Sequence, residues 1–216
     1  MKISILSINL KTAMKRSFFR RAEAVNEMIH IYDPDIVCVR SLEEYMLREL
    51  GPLTRVYRFY GGGATVGKRT LRTCILYRRD LFRLENGSTY FIKSSPLRLP
   101  GTVTAGTLVH EDVQLNVVCM SLNRPSDGFA EKLLAARMDE DNLVVCGDVQ
   151  VRGLHSVRTQ ETAVKRFVRS AASPYRREEC ICTSEKLPVL HSEALGSLFM
   201  GTFPSDGVPV YAELEL

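Results

Sequence analysis

The feature that most constrains the fold of this sequence is a short apolar stretch followed at once by polar residues. Residues 143–146 are all apolar, and Gly147, Asp148 and Gln150 follow closely. Because such an uninterrupted run is typical of a strand buried on both faces, it predicts a central strand with layers on either side. Functional side chains often lie at the carboxyl ends of such strands, so Asp148 is a candidate functional residue. Closing a loop through backbone amides is the alternative role for Asp148.

Strand and helix patterns alternate along the rest of the chain. Apolar residues recur at steps of three and four from Phe18 to Tyr32, which predicts a helix that begins near Ser17. A second helix is predicted over residues 42–50, with Ser41 as its N-cap. Further strands are predicted over residues 3–10, 36–39, 56–60, 71–77, 103–109, 113–120, 179–183, 189–195 and 208–216.

Three further signals complete this pattern. The Asn86-Gly87 pair predicts a hairpin turn. Residues 125–138 and 159–170 have the spacing of helices. Because the chain contains no short-period repeat and no low-complexity linker, we expect one domain over residues 1–216. In that domain, sheets would pack face to face with helices outside them.

Composition narrows the class of protein. Charged residues make up 25% of the chain and hydrophobic residues 45%, as in ordinary globular proteins. The formal net charge of +4 permits a phosphate-bearing partner without requiring one. No apolar run is long enough to span a bilayer, and the first residues lack the pattern of a signal peptide. We therefore expect a cytoplasmic protein with no membrane contact, whose six cysteines are free thiols.

A glycine-rich stretch partly matches a phosphate-binding loop. Gly62 is followed after four residues by Gly67 and Lys68, but Arg69 stands where a magnesium-binding Ser or Thr is needed. A strand pattern then follows instead of a helix, so we interpret the stretch as a hairpin tip with a basic end. Lys68, Arg69 and Arg124 are candidate phosphate-binding residues, because Lys and Arg favour phosphate oxygens. An ordinary solvated surface is the alternative explanation for these charges.

The four histidines form no pair at the spacing of a metal site. Each is interpreted as a surface histidine or one satisfied by its neighbours. His155 alone is kept as a candidate, because it lies a few residues downstream of Asp148.

Six short stretches of the chain occur in an informative order: residues 7–9, 34–39, 75–80, 120–123, 146–150 and 205–210. Taken together, they resemble the endonuclease/exonuclease/phosphatase superfamily with its deoxyribonuclease-I-like fold. The resemblance spans essentially the whole chain and implies a four-layer α/β/β/α sandwich of two packed mixed sheets, classed as α/β or by some schemes α+β. It also implies phosphoester cleavage with magnesium or manganese. In such reactions the metal ion helps to position the attacking in-line oxygen and neutralises the charge that develops on the phosphate.

Three residues match the functional positions that the resemblance implies: Asn9, Asp148 and Asp206. A fourth position is altered, because Gln150 stands where the family has asparagine and is one methylene longer. Glu179 stands where the family has an aspartate in a strand near the C-terminus.

Other positions implied by the resemblance have lost their functional groups. Where the family has Gln-Glu after the second strand, this chain has Arg40-Ser41, so the metal-binding carboxylate is missing. Ser121 and Gly207 each stand where the family has a histidine. An imidazole contributes roughly 10²–10⁴-fold through proton transfer, and neither serine nor glycine can replace it.

These differences lead to a preferred hypothesis and two alternatives. The preferred hypothesis is a divergent, catalytically impaired protein without a metal cofactor, which binds a phosphate-containing ligand, nucleic acid or partner protein. The first alternative is an active magnesium- or manganese-dependent phosphodiesterase, nuclease or phosphatase, with Glu43, Asp148, Asp206 and His155 as relocated ligands. The second alternative is a plain α/β module without the two-sheet sandwich.

Overall fold

The computed structural model describes residues 1–10, 15–66, 69–92, 100–122, 137, 141–147, 159–161, 179–184, 186–205 and 207–216. These residues contain helices and strands in the following order: β1 (Lys2–Asn9), α1 (Lys15–Tyr32), β2 (Ile36–Leu42), α2 (Glu44–Glu49), α3 (Leu53–Val56), β3 (Tyr57–Val66), β4 (Arg69–Arg78), β5 (Arg83–Ile92), β6 (Gly101–His110), β7 (Val113–Ser121), β8 (Leu143–Gly147), β9 (Thr159–Glu161), β10 (Cys180–Ser184), β11 (Val189–Ala194) and β12 (Val210–Glu215).

The strands form two six-stranded sheets. The first sheet has the order β11-β12-β1-β2-β4-β3, and the second has the order β5-β6-β7-β8-β10-β9. One neighbouring pair in each sheet is parallel, β1 with β2 and β7 with β8, and the other described pairs are antiparallel. Both sheets are therefore mixed, and the predicted sandwich of two mixed sheets is confirmed.

Both faces of the central strands are buried, because alternate side chains point to opposite faces of a strand. In β2, Val37 and Val39 pack with α1 and α2, whereas Ile36 and Cys38 face the second sheet. All five residues of β8 are buried, with its side chains divided between the inner and outer faces of the second sheet. The prediction of a central strand at residues 143–146 is thus confirmed.

Strands β3 and β4 confirm the hairpin, but the first three glycines are not its tip: Gly61, Gly62 and Gly63 lie inside β3 and pair with residues of β4. The two strands pair in register from Tyr57 with Arg78 to Val66 with Arg69. Helix α1 is also confirmed, although it begins at Lys15. In the described part of the chain, no helix is both long and apolar enough to cross a membrane.

Two local predictions were wrong because contacts between distant residues outweighed the local signal. Asn86 and Gly87 lie inside β5 and pair with β6, so they do not form a turn. Gly87 is instead covered by the Tyr60 ring, and a Cβ at Gly87 would come within 2.2 Å of Tyr60 Cζ. Residues 159–161 form strand β9, which pairs with β10, rather than the start of a helix. The remainder of that predicted helix lies outside the described residues, as does most of the one predicted over residues 125–138.

The predicted cap of the second helix was also wrong. Strand β2 continues through Ser41 to Leu42, and α2 begins only at Glu44 with Glu43 as its N-cap. Ser41 has a positive φ of 58° and lies in a β-bulge, where the pairing with β4 shifts between Val39 and Leu42. The sheet pairing therefore keeps this segment extended beyond the point at which a local capping signal would begin a helix.

Candidate functional site

The candidate site positions in the described part of the chain lie along one edge of the sandwich. The parallel pairs end together there, β1 and β2 in the first sheet and β7 and β8 in the second. The antiparallel neighbours β10 and β12 begin at the same edge, because Cys180 pairs with Gly147 and Val210 with Ser7. We call this edge the carboxyl rim. It carries Asn9, Ser41, Ser121 and Gly207.

Several of the predicted site residues lie outside the described residues. They are Lys68, Arg124, Asp148, Gln150, His155 and Asp206. Arg69 is the first residue of β4 and pairs with Val66. Glu43, the proposed relocated ligand, is the half-buried N-cap of α2, and its backbone N–H donates to Met46 Sδ at 3.4 Å. The roles of all these residues, and of Asn9, stay predictions.

A fully buried ion pair lies at the carboxyl rim and joins the two sheets. The Arg40 guanidinium, from the end of β2, donates through Nη2 to Oε1 of Glu179, the residue before β10. Both side chains are only 1% exposed. The other carboxylate oxygen, Oε2, accepts a hydrogen bond of 2.9 Å from Ser7 Oγ on β1. Glu179 is the only buried carboxylate among the described residues. It accepts hydrogen bonds from both the Arg40 guanidinium and the Ser7 hydroxyl.

The β-bulge in β2 explains how Arg40 is held at this position. Val39 pairs with Cys74 and Leu42 with Arg72, so Arg40 and Ser41 together oppose a single residue of β4. The backbone N–H of Leu10 donates to the Arg40 carbonyl at 2.9 Å and fixes the end of β2 against β1. A bulge of this kind is a common means of re-aiming a side chain at a sheet edge.

Gly147 provides the space through which the Arg40 side chain passes. Gly147 has φ +115°, and a Cβ there would lie 2.1 Å from the Met120 carbonyl oxygen and 2.9 Å from Arg40 Cδ. A side chain at this position would therefore collide with both β7 and the arginine. Packing therefore explains why the residue before Asp148 is a glycine in this chain.

A second group of contacts fixes the segment before β12 to the end of β1. Ser205 Oγ donates to the backbone carbonyl of Asn9 at 2.5 Å and accepts from the Gly207 N–H at 3.0 Å. Asn9, Ser205 and Gly207 are all buried. The position where the resemblance implies a histidine is therefore occupied by a glycine whose backbone is held against β1.

Three buried thiols face each other between the sheets beneath the ion pair. They belong to Cys38 on β2, Cys119 on β7 and Cys146 on β8. Burial raises the pKa of the Cys119 and Cys146 thiols. These groups are therefore neutral near pH 7 and act as small apolar side chains. All six cysteines are free, as predicted.

The described residues at the rim do not fit the divalent metal that the resemblance implies. Magnesium and manganese prefer anionic oxygen ligands, but the Glu179 carboxylate is neutralised by Arg40, and Ser41 supplies no carboxylate. Within the described ranges, no group of three or more His, Cys, Asp or Glu residues could hold a metal ion.

Sequence reasoning named Arg40 only as part of a lost motif and missed its pairing with Glu179. One signal in the sequence could have indicated it. Arg40 is two and four residues beyond Cys38 and Ile36, so it falls on the inward face of a buried strand. A charge at such a position requires a partner.

Neither a protein-family model nor a curated protein matches this sequence. Solved structures, in contrast, match along its whole length. An endonuclease/exonuclease/phosphatase from Bacteroides vulgatus superimposes with a TM-score of 0.79 at 16% identity, covering 100% of this chain and 99% of the other. A mannosyl-6-phosphatase from Bacteroides thetaiotaomicron gives a TM-score of 0.78 at 15% identity, with 99% and 100% covered. D. rerio TDP2 complexed with a single-strand DNA product gives 0.73 at 16% identity, with 100% and 99% covered.

The identities are too low to transfer an activity, but the extent of the superposition is decisive for the architecture. The second alternative, a plain α/β module without the two-sheet sandwich, is thereby excluded. The chain has the deoxyribonuclease-I-like fold of the endonuclease/exonuclease/phosphatase proteins, as the order of its short motifs predicted.

Proposed function

We propose that this protein is a divergent, catalytically impaired relative of the metal-dependent phosphoesterases, which binds a phosphate-containing ligand at the carboxyl rim without cleaving it. The observation that carries the proposal is the buried Arg40–Glu179 ion pair. Metal-assisted phosphoryl transfer requires free anionic oxygens to hold the cation. The carboxylate buried at this rim instead neutralises a guanidinium of the chain itself.

The residues at two other rim positions also support impaired catalysis. Ser121 and Gly207 have no imidazole with which to move a proton, and each such loss corresponds to roughly 10²–10⁴-fold in rate. Gly207 is moreover held through its backbone by Ser205. Impaired chemistry therefore follows from two independent features, the neutralised carboxylate and the missing bases.

Binding of a phosphate-containing ligand is supported by the position of the basic β3–β4 hairpin. Because β4 runs antiparallel to β2, the end of β3 and the start of β4 lie at the carboxyl rim. Lys68 lies between these strands in the sequence, immediately before Arg69. Two proteins of similar fold act on or bind phosphate compounds, a mannosyl-6-phosphatase and a TDP2 bound to single-strand DNA.

Hydrolysis assays test the impairment directly. The purified protein is incubated with bis(p-nitrophenyl) phosphate, p-nitrophenyl phosphate and plasmid DNA, each with millimolar Mg²⁺ or Mn²⁺. We expect no turnover above that of an Asp148→Ala variant prepared in the same way. Metal-dependent hydrolysis that Asp148→Ala abolishes would contradict the proposal and favour an active enzyme with relocated ligands.

Binding is tested separately with a fluorescent single-stranded oligonucleotide at low salt. We expect a triple variant, Lys68→Gln, Arg69→Gln and Arg124→Gln, to bind it more weakly than wild type, with a smaller dependence of affinity on salt. The matched control removes three exposed charges elsewhere, with Arg55→Gln, Arg79→Gln and Arg83→Gln. Equal losses in the two triple variants would mean that only net charge matters and that the rim is not the site.

A further inference from the structure

We infer that the carboxyl rim carries its own cation: the Arg40 guanidinium occupies a cation site built by Glu179 and Ser7, and this site takes a divalent ion only when the arginine is removed. This inference rests on the proposed function and deepens it, because it names the cation that neutralises the buried carboxylate at the rim. It follows from the disagreement between the described donor groups and the metal that the fold implies.

The buried carboxylate of Glu179 sets the first requirement at this site. An ionised carboxylate that is 1% exposed requires a compensating positive charge and hydrogen bonds to its oxygens. Arg40 compensates Oε1, and Ser7 Oγ donates to Oε2 at 2.9 Å. The two oxygens thus have partners from two different strands of the first sheet.

The surroundings of Glu179 are shaped for an arginine. The bulge at Val39 to Leu42 directs Arg40 toward the second sheet, and the Leu10 N–H fixes its backbone. Gly147 leaves open the volume through which the side chain passes. A planar guanidinium binds carboxylates with a fixed geometry that a lysine ammonium does not reproduce. The bulge lies on β2, the glycine on β8 and the carboxylate just before β10, and all three contact or position the Arg40 side chain.

Removal of the guanidinium leaves oxygen atoms that could bind a cation. Glu179 and Ser7 then present carboxylate and hydroxyl oxygens to the vacated volume, and oxygens of this kind are ligands for Mg²⁺ and Mn²⁺. In the native protein, Arg40 neutralises the carboxylate through Oε1 and Ser7 Oγ donates to Oε2, so we expect a divalent ion not to compete for them. We therefore expect added divalent metal not to change the thermal midpoint of the wild-type protein through this site.

Mn²⁺ is the probe for the experiment, with bound ion measured by electron paramagnetic resonance and unfolding followed by circular dichroism. Wild type, Arg40→Gln, Glu179→Gln and the double variant Arg40→Gln with Glu179→Gln are compared. We expect the thermal midpoint of Arg40→Gln to fall by roughly 10 °C in EDTA, as for a broken buried pair. We expect Mn²⁺ to restore part of this loss, and Arg40→Gln to bind Mn²⁺ that neither wild type nor the double variant binds.

Two results would overturn the inference. One is an Arg40→Gln protein that binds no more Mn²⁺ than wild type. The other is a wild-type protein that binds Mn²⁺ and loses it on Glu179→Gln. If Arg40→Gln does not fold in EDTA, refolding is repeated in Mn²⁺: recovery of the native spectrum in Mn²⁺ supports the inference, and failure in both conditions overturns it.

The inference and the proposed function can fail separately, and different results contradict each of them. Metal-dependent hydrolysis by wild type that Glu179→Gln leaves unchanged would contradict the proposed function alone, because the metal would then lie away from Glu179. A wild-type Mn²⁺ site that depends on Glu179, without hydrolysis, would contradict the inference alone.

Discussion

Strands β1 and β2 run parallel, and the charged residues at their two ends have different partners. At the amino end, Asp35 lies just before β2, and its Oδ2 accepts from the Ser4 backbone N–H at 2.8 Å and from Ser4 Oγ at 2.9 Å. At the carboxyl end, Arg40 reaches the other sheet and pairs with Glu179. The amino-end contacts are half-buried and join two neighbouring strands, whereas the carboxyl-end pair is fully buried and joins the two sheets.

This difference separates the short motifs that hold the fold together from the motifs that would carry out chemistry. The stretch Pro34-Asp35-Ile36-Val37 matched the resemblance, and its role here is to clamp β2 against β1, far from the carboxyl rim. Motifs at the amino end thus report the fold. The residues that depart from the resemblance are at the other end, where chemistry would take place. A chain can keep the first set of motifs and lose the second.

The largest effect is expected from breaking the pair at the carboxyl end. Arg40→Met should lower the free energy of unfolding by about 3–5 kcal/mol, because it leaves Glu179 charged and buried. Urea unfolding measures this. The control is the double variant Arg40→Met with Glu179→Met, which should be closer to wild type than the single variant. A single variant within about 1 kcal/mol of wild type would show that the pair is not a strong link between the sheets.

The space for Arg40 can be tested at Gly147. Gly147→Ala should cost about 2–4 kcal/mol, because its Cβ would meet the Met120 carbonyl at 2.1 Å and the backbone has a positive φ of 115°. Gly201→Ala is the matched control, since Gly201 also has a positive φ, 70°, but no atom within 4 Å of the added Cβ. We expect the control to cost only about 1 kcal/mol of backbone strain. Equal losses at the two positions would contradict the packing argument.

The amino end should respond more weakly. Asp35→Ala removes the acceptor of two hydrogen bonds from Ser4 and should cost about 1–2 kcal/mol in urea unfolding, since the site is half-buried. Oligonucleotide binding at the carboxyl rim should not change. Asp80→Asn is the control: Asp80 is 64% exposed and 3.6 Å from Arg78 Nε, so this variant should behave like wild type. A loss at Asp35 as large as that for Arg40→Met would contradict the comparison.

At neutral pH the smallest effect is that of the buried Cys74 thiol, whose contribution changes only at alkaline pH. Burial raises the pKa of Cys74 to about 12, against about 8.5 in an unfolded chain. Below the lower value both states are protonated and the stabilisation is fully present. As pH rises from there toward about 12, only the unfolded state ionises, so the stability falls by about 1.4 kcal/mol per pH unit for this thiol.

Urea unfolding of wild type and Cys74→Ala at several alkaline pH values measures that contribution. We expect the stability of the variant to fall less steeply above about pH 8.5. Between pH 7 and 8 the two proteins should show the same slope, which serves as the internal control. Parallel slopes throughout the alkaline range would mean that Cys74 titrates alike in the folded and unfolded chains.

Local patterns alone determined much of the architecture. The apolar run of residues 143–146 became a strand buried on both faces, and the apolar spacing from Phe18 to Tyr32 became α1. Residues 103–109 and 113–120 were predicted as strands, and they form β6 and β7, which pair with each other. Each of these features follows from periodicity within a short window, because burial imposes the same spacing at every turn of a helix or step of a strand.

Tertiary structure alone decided the features that depend on distant residues. Gly87 accepts the Tyr60 ring, Ser41 lies in a bulge set by pairing with β4, and Thr159 joins a strand that pairs with β10. In each case the local signal for a turn, cap or helix was weaker than the packing or pairing with another strand. The site shows the same division, because the sequence revealed which groups were lost but not what replaced them. Arg40 and Glu179 are 139 residues apart, and only the packing of one sheet on the other brings their charges into contact.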